Sequence, residues 1–239
     1  MPADITLSGS MPIAVNYAFA SAYVNTANTV LFTTSASGIG HDADPSSGAG
    51  AIAAIVSTGS GITVSHGTYK GGAGHVSDAD QPQPAILSQS DASLTITGGT
   101  ADGGTPGPSS GCPGVVILDP GGGSITGGTI TGSAAGAGSG LNGCTALIVC
   151  LRSGDFMISG GSSVGGAGDG SGTQGYSLGF GIAGSRTLVV SGGSWSGAWV
   201  GTIEAGSRIS VLTTIGIVPT RPDGSAFTAT VVGLYTNYT

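Results

Sequence analysis

The sequence has few charged residues, and very few of them are positive. Of its 239 residues, 5 are Lys or Arg and 12 are Asp or Glu, so the formal net charge is −7. Proteins bind nucleic acids and anionic membranes through clusters of Lys and Arg, which this composition does not supply. No uninterrupted apolar run reaches the roughly 20 residues of a membrane-spanning helix. We therefore expect no nucleic-acid partner and no membrane span.

Cysteine is scarce as well, with Cys112, Cys144 and Cys150 as the three examples. An odd number this small does not make a disulfide framework, and no zinc-type Cys or His spacing is present. Cys112 and Cys144 could pair between neighbouring repeats. The favoured interpretation is that they are small buried thiols in a reducing compartment.

Positive charge is missing from residues 1–30, which contain neither Lys nor Arg. A secretory signal begins with a positively charged segment. Together with Met1, this absence favours a protein that is made and assembled in a cytoplasm. The alternative is a secreted protein, which would require a signal peptide that was cleaved and is not included in the numbered sequence.

Glycine is the residue present in excess, at 48 positions. It does not occur at every third residue and Pro is limited to 11, so a collagen helix is excluded. The hydrophobic content of 39% and the positive mean hydropathy of +0.33 oppose a disordered chain. We therefore expect the Gly-rich segments to be packed loops.

A short motif recurs through most of the chain, and its clearest copy is LTITGGT at residues 94–100. Taking Gly99 as the anchor, the equivalent positions are Ser35, Gly67, Gly128, Gly161 and Gly193. The five steps from Ser35 to Gly193 cover 158 residues, a mean of about 32. A period of this length is typical of solenoids, in which each repeat stacks on the next.

Each repeat predicts two or three short strands. Apolar residues stand five and three positions before the anchor, as Leu94 and Ile96 do, and a Ser or Thr stands two before it. Alternate residues of a strand share a face, so these apolar pairs should stack into one core. A second apolar cluster lies about twelve residues before the anchor, and a third short segment follows it. Recurrent Gly pairs at one point predict a sharp corner.

The predicted fold is all-β, a single-stranded parallel β-helix of about six rungs. Residues 1–28 form an N-terminal cap or assembly segment, 29–201 the repeats, and 202–239 a C-terminal cap. In that last segment, strand-like residues 209–218 and 226–235 flank a turn-rich stretch, which predicts a β-hairpin that closes the solenoid or exchanges with a neighbouring chain.

The carboxylates do not predict an enzyme. A polysaccharide-cleaving site needs acids that converge in one groove. Five acids are candidates, and they fall at different offsets from the anchors, so turn capping or a solvated side chain is the better interpretation: Asp91, Asp119, Asp155, Asp169 and Glu204. No Ser/His/Asp or Cys/His arrangement is visible. We expect no catalytic residues and no organic cofactor.

Two acidic loops suggest a calcium site. Asp42 and Asp44 follow one anchor, and Asp78 and Asp80 follow the next. Stacked loops would bring these carboxylates together around a hard cation. Repeat-derived loop residues without a ligand are the favoured alternative, because the Gly-Asp calcium repeat of β-rolls is absent.

Two tryptophans close the last repeat, Trp195 and Trp199. Exposed together, they would make a stacking platform for a glycan. Packing at the end of the apolar core is the favoured alternative.

The unit written as LTITGGT, SITGGTI and LVVSGGS resembles those of parallel β-helix proteins, which include phage tailspikes and fibres and autotransporter or filamentous adhesin passengers. The resemblance covers residues 20–201 and is architectural, so it implies no catalytic residue. It implies a non-enzymatic structural protein of a virion surface, a decoration protein, spike or fibre. The implied partners are further copies, with a trimer expected, other virion or surface-layer proteins, and a host surface glycan. The alternatives are a secreted bacterial adhesin or filament subunit, located at the cell surface, and a carbohydrate-active enzyme.

Overall fold

The computed structural model describes ten ranges of the chain. They are residues 5–7, 23–25, 30–32 and 37–39, in backbone alone, and residues 53–57, 61–73, 83–89, 93–105, 112–137 and 140–239. The strands within them form three sheets, in which all pairings are parallel except at the C-terminal end. The predicted all-β parallel solenoid is thus confirmed.

The strands are numbered in chain order and each sheet is given in its stacking order. Sheet A holds β1 (Ile5–Leu7), β3 (Val30–Phe32), β6 (Gly61–Val64), β9 (Ser93–Ile96), β12 (Gly123–Ile125), β15 (Phe156–Ile158), β18 (Thr187–Val190), β21 (Arg208–Leu212), β23 (Tyr235–Tyr238) and β22 (Ala229–Val232). Sheet B holds β4 (Ser37–Ile39), β7 (Thr68–Lys70), β10 (Thr100–Asp102), β13 (Thr129–Thr131), β16 (Ser162–Val164) and β19 (Ser194–Ser196). Sheet C holds β2 (Tyr23–Asn25), β5 (Ile55–Ser57), β8 (Ile86–Gln89), β11 (Val115–Leu118), β14 (Leu147–Leu151), β17 (Leu178–Ile182) and β20 (Trp199–Ile203).

One coil takes a strand from sheet C, then sheet A, then sheet B. The starts of the sheet C strands advance from Tyr23 to Leu178 in five steps that cover 155 residues, a mean of 31. The number of coils differs slightly from the predicted six, because β20 and β21 begin a further coil that has no sheet B strand among the described elements. The stack therefore continues past the predicted boundary at residue 201.

The predicted apolar columns form the core. In sheet A, Ile96 pairs with Val64 and Ile125, and Ile158 continues the column. All of the column members described in side chain are nearly inaccessible: Ile62, Val64, Leu94, Ile96, Ile125, Phe156, Ile158, Leu188 and Val190. Removing this apolar surface from water stabilises the stack by about 25 cal/mol per Å². The register read from the sequence is confirmed.

The anchor glycines form the corner between sheets A and B. Gly99 has a φ of 84°, a left-handed conformation that glycine adopts without steric cost. The same conformation recurs at the equivalent residues of the other coils: Gly67, Gly128, Gly161 and Gly193. This repeated requirement explains why glycine stands at the anchor of each coil from Gly67 to Gly193.

The long Gly-rich segments between sheets B and C fold back and stack on one another, and we call them the excursions. Ser133 N–H donates to Cys112 C=O at 3.0 Å, and Cys144 N–H donates to Ser133 C=O at 3.0 Å. Gly166 N–H then donates to Cys144 C=O, and Gly175 N–H to Gly166 C=O, both at 2.8 Å. Outgoing and returning segments thus alternate along the stack and bond through their backbones.

The C-terminal hairpin exists, but its strands differ from the predicted ones. The predicted first strand, 209–218, ends at Leu212, where β21 is followed by a 3-10 helix, Thr213–Ile215. The predicted second strand, 226–235, is interrupted by a turn at Gly233, whose φ is 62°. The hairpin is therefore made by β22 and β23, and β23 pairs antiparallel with β21.

Aromatic residues close the C-terminal end of the core. Phe227 lies 5.9 Å from Phe180, between ring centroids, and both Phe227 and Tyr238 are buried. The Arg221 guanidinium stands 4.2 Å above the Phe227 ring, which is the geometry of a cation–π contact. The apolar end that a solenoid would otherwise expose is covered here by the chain itself.

Candidate functional site

The two tryptophans of the last coil have different roles. Trp199 begins β20 and is fully buried, with 0% of its surface exposed. Trp195, on β19, stands edge-to-face against it with ring centroids 4.8 Å apart. Because neither face of the Trp199 ring can reach solvent, the predicted glycan platform of two rings is not formed. Trp199 instead packs in the core, and Trp195 remains half-buried at the surface.

Trp195 lies in an open groove with a volume of about 500 Å³. Its indole Nε1 donates to the carbonyl of Gly192 at 3.2 Å, which fixes the ring against the corner. The groove is otherwise lined by hydroxyls and aliphatic side chains: Ser191, Ser194, Thr214, Leu212, Ile215 and Ile217. An aromatic ring beside aliphatic groups and hydroxyls suits an uncharged amphipathic ligand such as a sugar.

The groove exists because the last coil is incomplete. β19 is the outermost strand of sheet B, so no further strand in the described sheet covers Trp195. The chain passes from Ser196 to Trp199 through two residues, without an excursion. It then leaves sheet A after Leu212, and the 3-10 helix forms the far wall. The sequence did not predict the groove, because the 3-10 helix that forms its far wall lies where a continuous strand, 209–218, was expected.

Asp119, Asp155 and Asp223 accept hydrogen bonds at turns. Ser153 Oγ donates to Asp119 Oδ1 at 2.7 Å, and Thr187 N–H donates to Asp155 Oδ1 at 2.8 Å. Each of these two carboxylates therefore links its turn to a neighbouring coil by a hydrogen bond. At Asp223 the hydroxyl and backbone of Ser225 hold the carboxyl pKa below its ordinary value, because both hydrogen bonds favour the charged form. Asp91 lies outside the described residues.

The proposed calcium ligands Asp42, Asp44, Asp78 and Asp80 all lie outside the described residues, so that hypothesis stays a prediction. Within the described part of the chain, no group of three or more His, Cys, Asp or Glu side chains is placed to hold a metal ion. The same part contains no helix long and apolar enough to cross a membrane.

The three cysteines are free thiols. Burial raises the pKa of Cys144 to about 11, against a smaller opposing hydrogen bond from the Thr145 backbone. Burial raises the pKa of Cys112 further, and its neighbour Cys144 adds to the effect. Burial also raises the pKa of Cys150, although Arg152 and the Gly181 backbone oppose it. A thiol in this state is a weak nucleophile, because the thiolate is the reactive form.

The C-terminal hairpin presents exposed apolar side chains. Val231 is 66% exposed and Leu234 74% exposed, and Val232, which follows Val231 on β22, is exposed as well. Monomeric soluble proteins rarely display contiguous apolar groups without a use for them. The sequence indicated strands here, but it did not indicate which residues face solvent.

In comparisons with known proteins, no family model matched the chain, and no curated protein or solved structure matched it.

Proposed function

We propose that the chain is a non-enzymatic structural protein of a virion surface, a decoration protein, spike or fibre built as a β-solenoid. The packing of the excursions carries the proposal. In an enzyme or receptor built on a solenoid, long loops serve as adaptable binding surface. Here backbone hydrogen bonds fix the described excursions, such as those of Ser133 to Cys112 and Cys144. The excursions therefore widen the cross-section of the solenoid and do not form free loops.

A second feature supports a mechanical role. Each coil buries its apolar residues against the coils on either side, so no coil has a core of its own. Parallel strands stacked about 4.8 Å apart give a short rod whose sides are joined by three ladders of backbone hydrogen bonds. Such a body keeps its shape under load because bending it breaks many bonds at once.

Immunogold labelling of particles and cells from the source culture tests this proposal. Antibodies raised against the purified chain should label purified virus particles, and mass spectrometry of washed particles should recover its peptides. Gold confined to the cell envelope, with washed particles free of the chain, would contradict a virion location and favour the adhesin alternative.

The groove beside Trp195 supports a second candidate function, a surface adhesin that binds a glycan. In that case Trp195→Ala should abolish retention on an array of surface glycans, because stacking on the ring supplies most of the contact. Tyr176→Ala is the matched control, since Tyr176 is an aromatic residue that is 42% exposed on an excursion. Equal retention of the two variants, or no retention of the wild type, would reject this candidate.

A further inference from the structure

The strand β22 is the outer edge of sheet A and has one free side. Among the described strands it pairs with β23 alone. Thr228 and Thr239 exchange both of their backbone hydrogen bonds, at 3.1 and 3.0 Å. In an antiparallel pair, bonded and non-bonded residues alternate. The N–H and C=O groups of Ala229 and Val231 therefore point away from β23, toward solvent.

This edge lacks the devices that keep an edge strand from pairing. Proteins protect such edges with Lys, Pro or a bulge. None of the residues from Ser225 to Thr239 is Lys, Arg, Asp, Glu or Pro, and β22 runs opposite β23 without a bulge. Its four residues are all exposed. An unprotected edge with apolar side chains is a template for another strand.

Charge favours a second copy of this chain as the occupant. The chain carries a net charge of −7, which makes most approaches between two copies repulsive. From residue 209 onward, however, its charged side chains are Arg221 and Asp223, which cancel. Two copies can thus meet at this end without repulsion, whereas a strongly acidic or basic partner finds no counter-charge on the hairpin.

We propose that two copies join end to end through β22, paired antiparallel about a twofold axis at Thr230. In that register Ala229 of each copy lies opposite Val231 of the other, so both outward-facing residues exchange their backbone bonds across the interface. Ala229 and Val231 continue the inward face of Ile209 and Val211 in sheet A, which places apolar groups opposite apolar groups. Sheet A becomes continuous through both copies.

A twofold pairing ends at two copies. When β22 of one copy pairs antiparallel with β22 of another, the contact is isologous. Both free edges are then occupied, and no third copy can add to them. The trimer expected from the resemblance would need a heterologous contact instead. The mass of the assembly separates the two arrangements.

Sedimentation velocity on the full chain tests the pairing. Wild type should sediment at twice the chain mass of 22.7 kDa. Val231→Pro should sediment as a monomer with an unchanged circular dichroism spectrum, because it removes an N–H that faces away from β23. A wild type that is monomeric at every concentration, or trimeric, would overturn the proposal. So would a folded Val231→Pro dimer.

Cysteine cross-linking tests the same pairing independently, because it does not require the Val231→Pro variant to fold. At the centre of the register, two Thr230 residues form a non-bonded pair with Cα atoms about 4.5 Å apart. That separation suits a disulfide, so Thr230→Cys should form a covalent dimer under mild oxidation. Thr202→Cys, at an exposed position on β20, is the control and should stay monomeric on a denaturing gel. Equal cross-linking of the two variants would reject the register.

Discussion

The carbonyl oxygen of Ser133 lies 1.8 Å from the place where a β-carbon on Gly166 would stand. Two excursions from neighbouring coils therefore pack backbone against backbone at this point, with no room for a side chain. Gly143 stands in the same relation to the carbonyl of Gly166. Glycine is needed in these segments because a neighbouring backbone occupies the position of a β-carbon. In a flexible linker that position would be open to solvent.

Gly166→Ala should lower the free energy of unfolding by about 3 kcal/mol, the upper end of the usual cost of overpacking a site. Gly179→Ala is the matched control. An added β-carbon there meets its nearest neighbour, Thr145 Cγ2, at 3.4 Å, which is an ordinary contact. The control should be neutral or more stable by roughly 0.5 kcal/mol, because alanine restricts the unfolded chain. Urea denaturation measures both, and equal effects would contradict the packing of the excursions.

Ile125→Ala should lower the free energy of unfolding by about 2–5 kcal/mol, because it opens a cavity between the coils on either side. Met157→Ala, on the adjoining strand of the same sheet, is the comparison. Met157 is 44% exposed, so its truncation should change stability by roughly 0.5 kcal/mol or less. If the two variants unfold at the same urea concentration, the inward and outward faces of sheet A are assigned wrongly.

Ser88→Ala should raise the free energy of unfolding by about 1 kcal/mol. The Ser88 side chain is fully buried, and its hydroxyl has no hydrogen-bond partner among the described residues, so its removal relieves a desolvation penalty. Ser163→Ala serves as the control, since the buried Ser163 hydroxyl donates to Ser177 C=O at 2.7 Å and its loss should cost about 1 kcal/mol. Destabilisation by Ser88→Ala would show that its hydroxyl is bonded.

Stability should fall as the pH rises above about 8.5, the ordinary pKa of a cysteine in an unfolded chain. In the folded chain burial raises the pKa of Cys144 to about 11. Between those two values the unfolded chain releases the thiol proton more readily than the folded one, so ionisation favours unfolding. Below that window the group has no effect, because it is neutral in both states.

Urea titrations at about pH 7 and about pH 10 measure this loss. Cys144→Ala should lose less stability between the two values than the wild type. Cys112 and Cys150 shift in the same direction and keep part of the dependence. An identical loss in the variant and the wild type would contradict the burial of Cys144.

The sequence predicted those parts of the fold that repeat. Ile96 and Gly99 recur with their environment in each coil, so a spacing observed several times defined both the inward face and the corner. The packing of the excursions was expected in general terms, but its register was not, because Gly, Ser and Ala carry no periodic apolar signal.

Features that occur once were predicted less well. The apolar run Ile209–Val218 matches a strand throughout, yet the chain turns after Leu212 and Gly216 adopts a φ of 74°. Trp199 and Trp195 are four residues apart and chemically alike. Their different burial depends on where sheets B and C end, and this is a tertiary property that no local pattern contains.

Native-state hydrogen exchange tests most directly whether the excursions are part of the rod, the claim on which the proposed structural role depends. The amides of Ser133, Cys144, Gly166 and Gly175 are bonded between segments. They should exchange with opening free energies close to those of the core amides Thr126 and Ser159. Exchange of the excursion amides at the rate of an unstructured peptide, while the core stays protected, would contradict the account.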